Sequence, residues 1–406
     1  MRYAVVHLGA RNGYAVPTAL EHAGMLEKFY TDISASVGLG GLLTAAAWPT
    51  GLVDPIRRLR GRVLSPEVAA KTVSFGSRFL LNQLRQCIAP SDPEQSFRRH
   101  LDYTKSIGDA IARKGFADAT HLYSMLGECY PALAAAQSRG LVVVSEVYIL
   151  LSTNRVVREE QKAFRGWEQN PVDYDALSQE IAGHKSPLLA SSDFAICPSE
   201  EVAQDLTCEF GFDRAKIRVV PYGVGEDWLR RPNHPVRGRI LFSGTACLRK
   251  GIQYLAMAAA KLADMGIANE IIVAGDVTPT ISARPDCRRL NFLGRVPRSQ
   301  IAEEFAKADI FVLPTLAEGS ALVTYEALAS GLPVVTTKAA GSVVRDGLDG
   351  YIVPERDPIA LSEAIAELVE DREKRNRFSV SARERAREYT WMNYENRLIN
   401  TLGSLG

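Results

Sequence analysis

A chain of 406 residues exceeds what one compact core usually holds, so two domains of ~200 residues each are expected. Its 46% hydrophobic and 23% charged content is globular and excludes a disordered chain. The net charge of +1 lacks the basic excess of a general nucleic-acid binder, so no nucleic-acid partner is expected.

The first apolar run, Tyr3 to Leu8, reads as a strand and is too short and too poorly flanked for a signal peptide. No apolar run reaches 18 residues, so no membrane-spanning helix is expected. Six cysteines, at 87, 129, 197, 208, 247 and 287, are scattered without a zinc or redox spacing, which fits a reducing cytosol. After the first strand, Gly9 to Thr18 (GARNGYAVPT) leads into a helix containing Ala19 to Met25. Gly9 and Gly13 permit close backbone approach, and Arg11 offers a cation to a phosphate. Arg11, Asn12, Gly13 and Tyr14 are therefore candidate ligand contacts, although such a loop often only turns the chain. His7 ends the strand, where a core position is the plain reading, and no two histidines pair as metal ligands.

Residues 37–49 (VGLGGLLTAAAWP) form a weakly apolar run beside Arg57, Arg58, Arg60 and Arg62. From Arg57 to Arg99 there are nine basic and three acidic residues, a local net of +6. An apolar patch with Trp48 next to a basic cluster suits docking on an anionic membrane surface. A helical insertion with a solvated basic face has the same composition. Further apolar runs at 121–125, 141–147 and 194–199 alternate with helix-like stretches, the pattern of a parallel sheet covered on both faces. Glu146 lies near the end of the 141–147 run, where a carboxylate orients hydroxyls or is simply solvated.

Gly225 to Gly238, with two prolines, clustered arginines and little apolar content, reads as a linker. A second strand series follows at Arg239 (RILFSG), Glu270 to Gly275, Leu290 to Gly294, Ile310 to Pro314 and Pro333 to Thr337. Between the first of these strands and a helix from about Ile252 lies Gly244 to Gly251 (GTACLRKG). Gly244 admits a ligand to the backbone, and Arg249 and Lys250 supply charge for a diphosphate. Cations at a helix start oppose its dipole, which favours a ligand role over a plain surface pair. Glu318 to Val335 (EGSALVTYEALASGLPVV) reads as a turn, then Ser320 as N-cap, a helix from about Ala321 to Ser330, and stop signals at Gly331 and Pro333. N–H groups from Ser320 to Val323 seat a phosphate. At ~1.5 Å rise per residue, Glu318 and Glu326 flank that seat roughly 9–12 Å apart. The last stretch, Thr390 to Leu402, carries Trp391, Tyr394, Leu398 and Leu402 at helical spacing.

The 318–335 block resembles the Glu-x7-Glu signature of retaining GT-B-fold glycosyltransferases, the family of sucrose synthase and bacterial mannosyltransferases. Further motifs occur in family order: the strand ending in Pro198-Ser199-Glu200, Pro221-Tyr222-Gly223-Val224, Gly244 with Arg249-Lys250-Gly251, and Asp346-Gly347 with Gly350 and Val353-Pro354. The resemblance covers about residues 190–360 and thins before that. It implies two Rossmann-like parallel-sheet domains facing a cleft. Residues 1–224 would bind the acceptor, 225–238 link, 239–388 bind a nucleotide-sugar, and 389–406 form a helix packed back on the first domain.

The implied reaction moves a sugar from a nucleoside diphosphate sugar to a glycan, glycolipid or lipid-linked acceptor with retention and without a metal or other cofactor. Glu318, Lys250 and Arg249 are the implied catalytic residues. Gly13, Gly244, Thr245, Arg249, Lys250, Glu318, Gly319, Ser320, Ala321, Leu322, Val323 and Glu326 are the implied donor site, with Glu318 on sugar hydroxyls and Glu326 on the ribose, and Arg11, Asn12, Tyr14 and Glu146 are the implied acceptor side. Such an enzyme works in the cytoplasm, here with peripheral docking on the inner face of the membrane left open by the basic segment. Three departures stand out: Thr245 where many relatives carry arginine, a sparse glycine loop after the first strand, and Glu146 where many place a histidine. Asp173-Tyr174-Asp175 has the Asp-x-Asp spacing that binds a metal in the other large glycosyltransferase fold, but it precedes a helix-like stretch and reads as a helix start. A non-catalytic homologue or a nucleotide-sugar epimerase shares the fold. The first would lose the charged groups present here, and the second needs acid/base groups for C–H chemistry that have no evident place.

Overall fold

Two separate parallel sheets carry the chain in a computed structural model that describes residues 1–45, 59–88, 93–168 and 174–405. Trp48, Arg57, Arg58 and Asp173 lie outside the described residues. The first sheet holds β1 (Tyr3–Val6), β2 (Leu26–Thr31), β3 (Thr72–Ser74), β4 (His121–Met125), β5 (Val142–Glu146), β6 (Phe194–Cys197) and β7 (Ile217–Val219). Its order is β3-β2-β1-β4-β5-β6-β7. The second holds β8 (Arg239–Ser243), β9 (Glu270–Ala274), β10 (Leu290–Gly294), β11 (Ile310–Leu313), β12 (Val334–Thr337) and β13 (Gly350–Val353), ordered β10-β9-β8-β11-β12-β13. Strands such as YAVV, IFVL and VVTT are buried at every residue, because helices cover both faces and no alternation with polar residues is needed. β2, β3, β7 and β13 are additional to the strand runs of the sequence. β2 (LEKFYT) is interrupted by charge, and β3 and β7 are three-residue edges.

Strand order reverses between β1 and β4, and again between β8 and β11. Loops on either side of such a reversal part company, leaving a crevice at the carboxyl ends of the strands where ligands bind. The two domains turn these crevices toward each other. The segment read as a plain linker contains a helical turn, Glu226–Leu229, and Trp228 within it is 2% exposed, packed edge-on against Phe305 at 5.1 Å. The last helix, Trp391–Leu402, is capped by the Thr390 hydroxyl, which accepts from Asn393 N–H at 3.2 Å. It crosses back to the first domain: Tyr394, Leu398 and Leu402 are buried, and the Tyr3 hydroxyl donates to the Leu402 carbonyl at 2.9 Å. Its burial on the first domain, rather than intrinsic propensity, is what stabilises a helix of this length.

The domains meet most tightly at Gly319. A Cβ there would lie 1.8 Å from the Tyr148 carbonyl oxygen, so only glycine allows this approach. Ser199 caps the helix Glu200–Phe210 by accepting from Val202 N–H, and its hydroxyl also donates to the Gly319 carbonyl at 2.6 Å. Gly319→Ala is expected to hold the domains apart and cost about 1–3 kcal/mol by overpacking. Small-angle scattering should show a larger radius of gyration, and the melting temperature should fall. An unchanged radius would mean that the contact does not set the closure.

Candidate functional site

The loops after β8 and β11 are joined to each other before either meets a ligand. Gly251 has φ 74°, and a Cβ on it would lie 1.9 Å from the Pro314 carbonyl oxygen, so both backbone angle and space require glycine. Alongside it the Arg249 carbonyl accepts from Leu316 N–H at 2.8 Å and from the Thr315 hydroxyl at 3.0 Å. Glu318 Oε1 then lies 2.7 Å from Arg249 Nη1 and 2.9 Å from Lys250 Nζ. Both the Lys250 and Glu318 side chains are 14% exposed, so this pair is shielded from the screening that weakens surface ion pairs.

A cavity of about 540 Å³ opens at these loops. Gly244, Lys250, Glu318, Gly319, Ser320, Ala321, Leu322, Val323 and Glu326 line it from the second domain. Arg11, Asn12 and Tyr148 line it from the first, and Tyr222 from the chain leading out of β7. A neighbouring cavity of about 580 Å³ shares Asn12, Leu322 and Glu326, and continues past Gly13, Trp228 and Arg298. Glu326 therefore stands between the two spaces. Burial pushes its carboxyl up to about 7, against the pull of Arg298.

Several expected contacts lie elsewhere. Thr245 is exposed and Arg249 points away to the Ala317 carbonyl at 2.6 Å, so neither lines the cavity. Ser320 is not the N-cap. Its hydroxyl is held by the Tyr325 hydroxyl at 2.7 Å and the Gly341 carbonyl at 2.8 Å, and Ala321 occupies the cap position of the helix Leu322–Ala329. The Ala321 N–H is taken by the Ala340 carbonyl at 3.0 Å, leaving Leu322 and Val323 as the first-turn donors for an anion. Tyr14 is 2% exposed and packs on Phe29, and burial raises its phenol to about 12. Glu146 is also buried, with the Tyr123 hydroxyl at 2.6 Å on one oxygen and the Tyr222 hydroxyl at 2.9 Å on the other. Its acceptors are used inside the fold, and it does not reach the cleft. His7 is buried with its pKa lowered to about 3, by desolvation and by Arg11, and so stays neutral.

The first domain contributes a strained loop. Asn12, Gly13 and Tyr14 take φ 48°, 63° and 65° in succession, a conformation that costs the two non-glycine residues free energy. Two buried carboxylates hold it: Asp32 accepts from Gly9 N–H at 2.9 Å, and Glu128 from Leu8 N–H at 3.1 Å. Burial raises the Glu128 carboxyl to about 7 despite that hydrogen bond and Arg11. Neither residue is evident in the sequence, where Asp32 merely follows β2 and Glu128 sits in a turn. The loop presents the Arg11 guanidinium 3.7 Å from the centre of the Tyr148 ring, facing the cavity. As for metal, the helix Tyr174–Ala190 begins inside the Asp-x-Asp stretch. Among the described residues no three His, Cys, Asp or Glu side chains converge as ligands.

Residues 237–371 match the family model of glycosyl transferases group 1. The D-inositol 3-phosphate glycosyltransferase 1 of Catenulispora acidiphila is 29% identical over 314 residues, 70% of this chain and 72% of its own length. That of Xylanimonas cellulosilytica is 30% identical over 54% of this chain, and the match spans only 59% of the relative. HepE of Anabaena, solved with UDP and glucose, superposes over 100% of both chains with a TM-score of 0.58 at 16% identity, a likeness that establishes the GT-B fold.

The raised Glu326 carboxyl has a definite consequence for stability. Its pKa rises from 4.5 unfolded to about 7 folded, so the folded state binds more protons between these values. Stability from this group is therefore full below the unfolded pKa and is lost as pH rises through the folded one. Glu326→Gln should flatten that limb and melt higher than the parent at pH 8, by up to about 3 kcal/mol. Parallel melting curves for parent and variant from pH 5 to 8 would contradict the assignment.

Proposed function

With a group 1 glycosyltransferase domain on a GT-B fold as premise, we propose that this chain transfers a sugar from a nucleoside diphosphate sugar to an acceptor, with retention and without a metal. One observation carries the reading. Lys250, Glu318 and the free N–H groups of Leu322 and Val323 share a cavity with Glu326, so a phosphate seat lies between two carboxylates. Lys250 and the helix N-terminus hold the diphosphate and stabilise charge as it leaves. Glu318 accepts from sugar hydroxyls, and Glu326 from the ribose. Arg249 acts one step removed, holding Glu318 in place. Arg11 supplies from the opposite domain a cation that Thr245 does not, and unlike Lys250 it has no carboxylate partner among the described residues.

Retention follows if the acceptor hydroxyl attacks on the face from which the diphosphate departs. The bond from the anomeric carbon to the phosphate oxygen breaks as the new glycosidic bond forms, and the acceptor proton passes to the departing phosphate. Glu318 is committed to two cations, which leaves it a poor covalent nucleophile.

Peripheral docking belongs to the same proposal. On the helix Gly76–Ile88, Leu81 and Leu84 are each 57% exposed beside Arg78 and Arg85, and residues three and four apart share a helix face. Co-sedimentation with anionic vesicles should be strong at low salt and weaken as salt rises. Equal binding to neutral vesicles at all salt concentrations would remove this part of the reading.

A panel of UDP-, GDP-, ADP- and TDP-sugars, assayed for turnover with and without EDTA, tests the function. One donor should be consumed, and equally so in EDTA. Lys250→Ala should lower turnover of that donor by about 10²–10³-fold, the loss of one charge-stabilising contact worth about 2–4 kcal/mol. Wild-type turnover in the variant, or full dependence on added Mn²⁺, would overturn the assignment.

A further inference from the structure

A third cavity, of about 380 Å³, lies wholly in the first domain. Phe97, Leu101, Leu126, Leu150 and Leu151 supply its apolar walls. Its volume falls in the range of small-molecule sites rather than packing defects. It is not isolated from the donor side. Tyr148 and Ile149 line both this cavity and the one at Lys250, so the loop after β5 forms a partition with the reaction cleft on one side and apolar space on the other. Through Tyr148 the same loop touches Gly319 by its carbonyl and Arg11 by its ring.

Polar groups gather at the same space: His100, Thr153, Asn154 and Lys185. His184 spans it, with its Nε2 3.3 Å from the Gly127 carbonyl oxygen. Burial lowers the Lys185 ammonium pKa to about 8, against the opposing pull of Asp205. An apolar chamber bounded by hydrogen-bonding groups and set one loop away from the sugar-transfer cleft fits a molecule with one apolar and one hydroxylated end.

We propose that the acceptor is a saccharide carrying an apolar aglycone, an alkyl chain or an aromatic ring, which lodges between Phe97, Leu101, Leu126, Leu150 and Leu151 while the sugar reaches past Tyr148 to the donor. This rests on the glycosyl-transfer reading. The partition at Tyr148 and Ile149 sets the reach: the aglycone sits one loop thickness from the diphosphate seat, so the reacting hydroxyl belongs to a sugar close to the aglycone and not to the far end of a long glycan.

The test compares methyl, n-octyl and phenyl glycosides of glucose, mannose and galactose as acceptors for the donor found to turn over. Octyl or phenyl glycosides should show a KM at least about ten-fold below that of the methyl glycoside, since each buried methylene contributes a factor of about four. An octyl preference alone points to a lipid-linked acceptor, and a phenyl preference to an aromatic one. Leu101→Gln should collapse the ratio while Leu101→Met retains it, with melting curves confirming that both fold. Independently of turnover, n-octyl glucoside below its micelle concentration should bind saturably by calorimetry to the parent and not to Leu101→Gln. Equal KM values for methyl, octyl and phenyl acceptors, or octyl glucoside binding unaffected by Leu101→Gln, would overturn the proposal. Failure of every donor to turn over would defeat the glycosyl-transfer reading instead, and calorimetry would still decide whether the cavity takes an apolar group.

Discussion

The absence of a side chain at Gly319 is the constraint on which the site depends. The loop after β11 must lie flush against the Tyr148 carbonyl of the opposite domain, where a Cβ would be 1.8 Å from that oxygen. Its own carbonyl is then held by Ser199, the residue that also caps the helix after β6. One hydroxyl thus ties the geometry of a helix start in the first domain to the position of Glu318 in the second. Gly341 extends the same contact, since a Cβ there would meet the Gly319 carbonyl at 2.3 Å. Close backbone packing of this kind is stiff, because no side chain is available to yield.

Around that contact the domains are joined by charge with few alternatives. Glu160, 2% exposed on the helix Thr153–Ala163 of the first domain, is shared by three groups of the second. Arg356 reaches one oxygen at 2.6 Å, and Gln253 and the Tyr254 hydroxyl reach the other at 2.9 Å each. A carboxylate this deeply buried is tolerable only with its lone pairs occupied. Removing any partner therefore costs more than the lost hydrogen bond. Glu146 is satisfied in the same way within the first domain, drawing Tyr123 and Tyr222 together under Tyr394 of the last helix. Glu160 thus ties the two domains together, and Lys250 with Glu318 occupies the cleft between them.

Charge in the cleft is divided unequally between the domains. The second brings cation and carboxylate already paired, while the first brings Arg11 on a loop whose left-handed residues are restrained by Asp32 and Glu128. Such strain persists only where the surroundings over-determine it, and here two buried carboxylates provide that. The Tyr148 ring, centred 3.7 Å from the guanidinium carbon, orients Arg11 toward the cleft through a cation–π contact.

The sequence alone determined the two parallel sheets, their strands where apolar residues run unbroken, the returning last helix, and the block holding Lys250, Glu318 and Glu326. All of these rest on local chemistry: β-branched runs, glycines at turns, and the 3.6-residue period of an apolar stripe. What it missed was long-range. Nothing near Glu146 in the chain announces that Tyr222 will take its second oxygen, and nothing near Ser320 that Gly341 and Tyr325 will draw it away from the cap. β2 was hidden because its charged residues break the pattern, and Trp228 because its one-turn helix lies in a polar stretch. Arg249 and Lys250 are adjacent and alike in sequence, yet only Lys250 faces the cavity. That choice is tertiary: Gly251 packs on Pro314 and the Ala317 carbonyl captures the Arg249 guanidinium, so the loop can turn only one of its two cations toward a ligand.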